Sequence, residues 1–152
     1  MNTQEFKTEI ISRCVKLNGI SENWITHNSK IHAKLVKDDL PSYDFFKLDL
    51  DEKPVFESHL PNGNYLLLTT KKGFSITDGL SKTVLLQDIE DIDVDCVDEI
   101  SINEKKRTSK ICFLLFDSTE NFIYEVDSYF PAHVSINLIR NISSYLKWNR
   151  WL

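Results

Sequence analysis

Glycine, proline and cysteine are all scarce in this chain. Its 152 residues include four glycines, four prolines and three cysteines. So few glycines and prolines leave little room for long flexible linkers, and we expect one compact domain. The three cysteines, Cys14, Cys96 and Cys112, are isolated and odd in number. This usage indicates buried thiols in a reducing compartment rather than a disulfide framework.

Long apolar runs are also missing. A run such as Tyr65–Leu68 is far too short to span a bilayer. The first residues, from Met1 to Glu5, lack the basic stretch and the apolar run of a secretory signal. We therefore expect a cytoplasmic location and no stable insertion into a membrane.

No motif of an enzyme or of a cofactor site is present. There is neither a phosphate-binding glycine loop nor a dinucleotide fingerprint. The four histidines lack the mutual spacing of a zinc site, and no cysteine pairs with them. The many carboxylates come without the apolar pocket that separates the pKa values of a catalytic pair. We expect a protein without catalytic activity, bound metal or cofactor.

Negative charge is concentrated in one part of the sequence. The chain has 23 acidic and 18 basic residues, and residues 88–104 contain eight of the acidic residues but no Lys or Arg. Without this stretch, 15 acidic residues face 18 basic ones, so the rest is mildly positive. General binding of nucleic acid is not expected, because phosphate contacts require clustered Lys and Arg. The local charge instead favours binding of a basic protein.

Acidic and apolar residues alternate from Asp91 to Cys96. Because successive side chains of a β-strand point to opposite faces, the carboxylates would share one face while Ile92, Val94 and Cys96 enter a core. The same pattern is typical of a solvated strand whose charges prevent edge-to-edge pairing. Both interpretations stay open. A calcium loop is not indicated, because the glycine and the later glutamate of an EF-hand are absent.

Hydrophobic periodicity predicts helices towards both ends of the chain. Apolar residues recur at helical spacing over residues 3–18, and Gly19 suits a helix C-terminus. A second, short helix is expected over residues 29–38, although the alternation of apolar residues there would equally suit a strand. A long final helix is expected to begin at Pro131.

Between these helices the periodicity changes to that of β-strands. Turn signals such as Pro61–Asn64 separate six or seven short apolar segments, which predict antiparallel strands. The expected strands cover residues 65–70, 74–77, 83–87, 89–97, 100–102, 110–116 and 121–126. The order of elements predicts an α+β domain, in which a helical N-terminal extension, residues 1–42, packs on a β-domain of residues 43–152.

The order of elements, together with the segment Asn64–Gly79, resembles the bacterial pleckstrin-homology-like (PH-like) domains. There, as here, a strand that ends in a Leu-Thr pair turns through basic residues into a second apolar strand. The segment Val84–Val94 and the helical lead before Pro54 are also similar, and the resemblance covers residues 29–147. It implies a bent antiparallel β-barrel or sandwich of about seven strands, capped by the C-terminal helix. It also implies binding rather than catalysis.

The first hypothesis for the function is a non-catalytic protein-binding module. In its most specific form this is an acidic inhibitor or immunity-type protein that occludes a basic toxin or nuclease domain. Acidic side chains would steer the partner and form ion pairs, and a C-terminal Trp would provide an apolar anchor. The residues expected to bind the partner are Asp91, Asp93, Asp95, Asp98, Glu99, Trp148 and Trp151.

Two other classes of function stay open. One is a peripheral membrane module that binds lipid headgroups. Its basic residues would be Lys71, Lys72, Lys105, Lys106 and Arg107. The other is a small enzyme with a site assembled from scattered carboxylates. For the two C-terminal Trp residues, folding back on the domain and exposure as an anchor are both open.

Overall fold

The computed structural model describes residues 1–19, 31–93, 107–116, 118–128 and 130–152. In this part of the chain there are two α-helices, eight β-strands and one short 3-10 helix at Leu86–Asp88. The elements are α1 Thr3–Asn18, β1 Ala33–Leu35, β2 Pro54–His59, β3 Tyr65–Thr69, β4 Lys72–Thr77, β5 Leu80–Leu85, β6 Ile89–Ile92, β7 Thr108–Leu115, β8 Asn121–Asp127 and α2 Phe130–Trp148. The predicted α+β class and the helix that ends the chain are confirmed.

The strands form two antiparallel sheets. Strands β1 to β5 form a five-stranded sheet in sequential order, and β6 to β8 form a three-stranded sheet. Neighbouring strands within each sheet follow one another along the chain, as is common in antiparallel sheets. Within the described residues, the two sheets do not join into the closed barrel that was one form of the expected fold.

The helix expected over residues 29–38 is wrong in the described part of that range, where strand β1 is found. Ala33 and Leu35 are buried while Lys34 between them is partly exposed, which is the alternation of a strand. Ala33 lies opposite Ser58 of β2, and this pairing places β1 at one side of the five-stranded sheet. The N-terminal segment is therefore not purely helical, because it contributes a strand to that sheet.

Helix α1 has the ends that its sequence predicts. The side chain of Asn2 accepts a hydrogen bond from the Glu5 N–H at 2.8 Å, and the Glu5 carboxylate accepts one from the Asn2 N–H at 3.3 Å. This reciprocal pair is a capping box. Gly19 ends the helix with a φ of 61°, in the left-handed region that favours glycine. The helix buries Phe6, Ile10 and Cys14.

Helix α2 packs on the same core as both sheets. Pro131 lies in its first turn, where a missing N–H has no helical acceptor. The Tyr124 hydroxyl of β8 lies 2.9 Å from the Ser135 Oγ, and this contact joins the buried sides of strand and helix. The helix contributes to the core Val134, Leu138, Ile139 and Ile142. Among the described residues, no helix is long and apolar enough to cross a membrane.

Residues 36–53, here named the covering loop, join β1 to β2 without a helix or a strand. Phe46 and Leu48 of this loop pack on the outer face of the five-stranded sheet. They meet a second, small cluster of buried residues, Tyr65, Leu67 and Phe74. Connections of this length without regular structure are uncommon in compact domains and are often functional.

Candidate functional site

Two of the residues expected to bind a partner, Asp91 and Trp148, line one concave surface. It lies between β6 and the C-terminal half of α2, has a volume of about 220 Å³, and is named the β6–α2 groove. Strand β6 contributes Glu90 and Asp91, and α2 contributes Trp148 and basic residues. Of the other predicted residues, Asp95, Asp98 and Glu99 lie outside the described part of the chain.

The β6 wall of the groove is acidic because the strand contains a bulge. The register of β6 against β7 shifts between Ile89 and Asp91, so Glu90 is an extra residue. Glu90 and Asp91 are consequently both exposed, whereas strict alternation would turn one of them inward. Ile92 packs against the core as the alternation predicted. Asp93 is partly buried, and its N–H donates to the Cys112 carbonyl at 2.8 Å.

The α2 wall is basic and partly compensates this charge. The Arg140 Nε lies 3.6 Å from the Asp91 Oδ1, and the Lys147 ammonium donates a hydrogen bond to the Ile89 carbonyl. Burial lowers the pKa of Lys147, against the opposing effect of the nearby carboxylates. The groove has walls of opposite charge.

The two C-terminal Trp residues have different environments. Trp148 is 67% exposed at the end of α2 and lines the groove. Trp151 folds back on the domain, where its ring centroid lies 4.5 Å from that of Tyr145 and 5.7 Å from that of Phe6. The Arg13 guanidinium lies over the same ring at 4.7 Å. Trp148 therefore has the exposure of an anchor, while Trp151 joins the two helices.

Further exposed apolar side chains surround the groove. Leu152 lines it and is 74% exposed. On the neighbouring strand, Leu114 pairs with Asp91 and is partly exposed. Phe116 is also exposed, and the Lys147 ammonium lies 4.4 Å from its ring centroid. Exposed apolar residues that group around charges are typical of an interaction site.

Lys71 and Lys72, where the chain turns from β3 into β4, are already paired within the chain. The Lys71 Nζ lies 2.6 Å from the Asp51 Oδ2, and the Lys72 Nζ lies 3.1 Å from the Asp49 Oδ2. Both carboxylates belong to the covering loop. A lipid headgroup would have to compete with them, so these contacts weaken the membrane hypothesis. Two other lysines of the membrane hypothesis, Lys105 and Lys106, lie outside the described residues.

A second concave surface, the outer-face cleft, lies between β1, β2 and the covering loop. Its volume is about 280 Å³, and its lining includes His32, Lys34, Tyr43, Glu57 and His59. The ring of Tyr43 stacks on that of Phe45 at 5.5 Å between centroids, and both rings are partly exposed. Sequence reasoning missed this cleft. The only local signal was the group of aromatic residues at positions 43–46.

The carboxylate at the floor of the cleft serves the fold. Glu57 is 2% exposed, and it accepts hydrogen bonds from the Tyr65 hydroxyl at 2.6 Å and from the Ser42 N–H at 3.0 Å. The Lys34 Nζ lies 3.8 Å away. Burial and the contact with Glu57 raise the pKa of Tyr65, so its hydroxyl remains a donor. These contacts hold the covering loop on the sheet.

Within the described residues, no three His, Cys, Asp or Glu side chains converge as the ligands of a metal ion would. Comparisons with protein-family models, with curated proteins and with solved structures find no match for this chain. The chemistry of the two concave surfaces is therefore the basis for assigning a function.

Proposed function

We propose that this chain is a non-catalytic protein-binding module that docks its partner on the β6–α2 groove. The observation that carries the proposal is that Trp148 and Asp91 line the same groove, where a large exposed aromatic ring and charged groups share one concave surface. Trp and Arg are enriched at the energetic centres of protein interfaces, and Arg140 lines the same groove. Leu152 extends the apolar surface available to a partner.

The more specific form of the proposal is an inhibitor or immunity-type protein with a PH-like fold that occludes a basic domain. It is supported by the acidic stretch of residues 88–104 and by two antiparallel sheets followed by a terminal helix. Since the groove itself has both signs of charge, the attraction for a basic partner would come from the acidic stretch as a whole. Such a field mainly raises the rate of association and sets specificity.

Three immobilised forms of the chain test the docking surface: the wild type, W148A and L50A. Leu50 is fully exposed on the covering loop and does not line the groove, so L50A removes an exposed apolar side chain outside the proposed docking surface. From an extract of the source cells, we expect a protein that the wild type and L50A retain, and that binds W148A at least about tenfold more weakly. Equal retention by all three forms would place the docking surface elsewhere.

The association rate of the retained protein tests the electrostatic form of the proposal. Reversal of Asp93 and Asp95 to Lys should slow association far more at low salt than at high salt. The reason is that salt screens charges over a Debye length of about 10 Å at about 0.1 M. Unchanged rates at low salt would remove the basic partner from the proposal and leave the docking surface intact.

The membrane and enzyme hypotheses have less support. Lys71 and Lys72 are engaged by carboxylates of the covering loop, and Glu57 is engaged by donors of the fold. Sedimentation with anionic vesicles separates the membrane hypothesis from the proposed function, which expects the chain to stay in the supernatant.

A further inference from the structure

Each wall of the β6–α2 groove holds one charged side chain that remains unpaired in the described part of the chain. On the β6 wall, Asp91 faces Arg140, but Glu90 has neither a hydrogen bond nor an ion pair there through its side chain. On the opposite side, the Arg150 guanidinium also has neither a hydrogen bond nor an ion pair in the described part of the chain. Both residues are exposed. One concave surface therefore presents an anion and a cation that have no ion-pair partner among the described residues, although Glu90 is one of the carboxylates that act on the pKa of Lys147.

In charge, such a surface is complementary to a second copy of itself. In a dimer with two-fold symmetry, the same patch of both copies meets itself, so that residue i of one copy contacts residue j of the other and the reverse contact also forms. A two-fold axis through the groove would bring Glu90 of each copy to Arg150 of the other. Trp148 and Leu152 line the same groove and are largely exposed, so they would be buried in this contact.

We propose that the β6–α2 groove is the interface of a symmetric dimer of this chain, held by reciprocal Glu90–Arg150 ion pairs around Trp148. The charge of the groove favours a second copy as the occupant, because its lining has two acidic and three basic side chains. A second copy supplies both signs of charge in the same proportion, so each sign can meet its opposite.

This inference rests on the docking surface of the proposed function and names its first occupant. A foreign partner that binds the groove then competes with the second copy, and the dimer is the form in which Trp148 is protected from water. The apparent affinity for the foreign partner would fall as the concentration of the chain rises, because more of the chain is dimeric.

Sedimentation velocity over a concentration series of the full chain tests the dimer. We expect the wild type to show a monomer–dimer equilibrium, and E90R or R150E alone to raise its dissociation constant at least about tenfold. Each single reversal sets like charges against each other twice in a symmetric dimer. An equimolar mixture of the E90R and R150E chains should form a heterodimer, because both contacts then join opposite charges.

Matched control variants make the same changes of charge elsewhere. Asp44 and Lys16 are exposed and do not line the groove, so D44R and K16E should dimerise as the wild type does. A wild type that stays monomeric at its highest soluble concentration would overturn the inference. So would controls that dissociate as readily as E90R and R150E, or a mixture that stays monomeric.

The failure of this inference and that of the proposed function are distinguishable. A monomeric wild type whose partner is lost on W148A would overturn the dimer and leave the proposed function standing. A dimer that E90R dissociates, in a chain that retains no protein through Trp148, would support the dimer and overturn the docking of a foreign partner.

Discussion

Asp127 holds His32 with both of its carboxylate oxygens, although 95 residues separate the two in sequence. The His32 N–H donates to Oδ2 at 2.7 Å, and the imidazole Nδ1 lies 3.1 Å from Oδ1. Asp127 is the last residue of β8, and His32 directly precedes β1. The contact therefore links the five-stranded sheet to the three-stranded sheet, between which no strand pairing forms in the described residues.

Replacement of Asp127 by Ala should lower the free energy of unfolding by about 1–3 kcal/mol, because the partly buried N–H and imidazole of His32 lose a buried acceptor. His32→Ala is the matched variant. It removes the imidazole but keeps the backbone hydrogen bond, so it should cost less. Urea denaturation measures both values, and a D127A chain as stable as the wild type would contradict the role of this link.

Gly73→Ala should destabilise the fold by about 1–3 kcal/mol through overpacking. A Cβ on Gly73 would lie 2.9 Å from two ring atoms of Phe122, and that ring is completely buried. The loss should be smaller in a chain that already has Phe122→Leu, which removes the ring edge. A double-mutant cycle by chemical denaturation measures this coupling. Additive losses would show that the contact is not their cause.

Ser58→Ala and Ser75→Ala should leave the stability unchanged or raise it by up to about 1 kcal/mol. Both hydroxyls are buried without a hydrogen-bond partner among the described residues. Both serines lie opposite Leu66, on the core side of the five-stranded sheet. Ser135→Ala is the control, because its hydroxyl contacts Tyr124 and donates to the Ala132 carbonyl. Thermal denaturation that shows equal losses in all three variants would contradict the prediction.

Glu125 should make the fold more stable above the ordinary pKa of its carboxyl group than below it. Burial acts to raise this pKa, but hydrogen bonds from Asn62, Asn64 and Thr108 outweigh burial, and the pKa is lowered. A carboxyl whose pKa is lower in the folded state stabilises above the unfolded pKa. This contribution is lost as the pH falls through the folded pKa. The free energy of unfolding of the wild type should therefore fall more steeply on acidification than that of E125Q, and parallel curves would exclude this role.

The parts of the fold that sequence predicts well have local causes. The capping box at Asn2 and the glycine at position 19 bound α1 through contacts between near neighbours. Strand β1 has no such signal, because three alternating residues fit a helix and a strand equally. Its pairing with β2 makes this segment a strand. That pairing brings together Ala33 and Ser58, which are distant in sequence.

The candidate site shows the same limit. Asp91 and Trp148 could be selected from sequence by charge and size, and both line the groove. The basic wall could not be foreseen, because only the packing of α2 beside β6 brings Arg140 to Asp91. The bulge at Glu90 also escapes a strict alternation of side chains, since the register of β7 creates it. The outer-face cleft lies between strands β1 and β2 and the covering loop. Hydrophobic periodicity does not predict how a loop packs on a strand.

Trp151 packs on α1, and this contact fixes the end of α2 that carries Trp148. Asn149 ends α2 in the left-handed region, with a φ of 52°, and its N–H donates to the Tyr145 carbonyl at 2.8 Å. The backbone of Trp148 is thus held between α2 and the packed ring of Trp151. A partner that binds Trp148 therefore meets a backbone that is already ordered, so the backbone loses little conformational entropy when the complex forms.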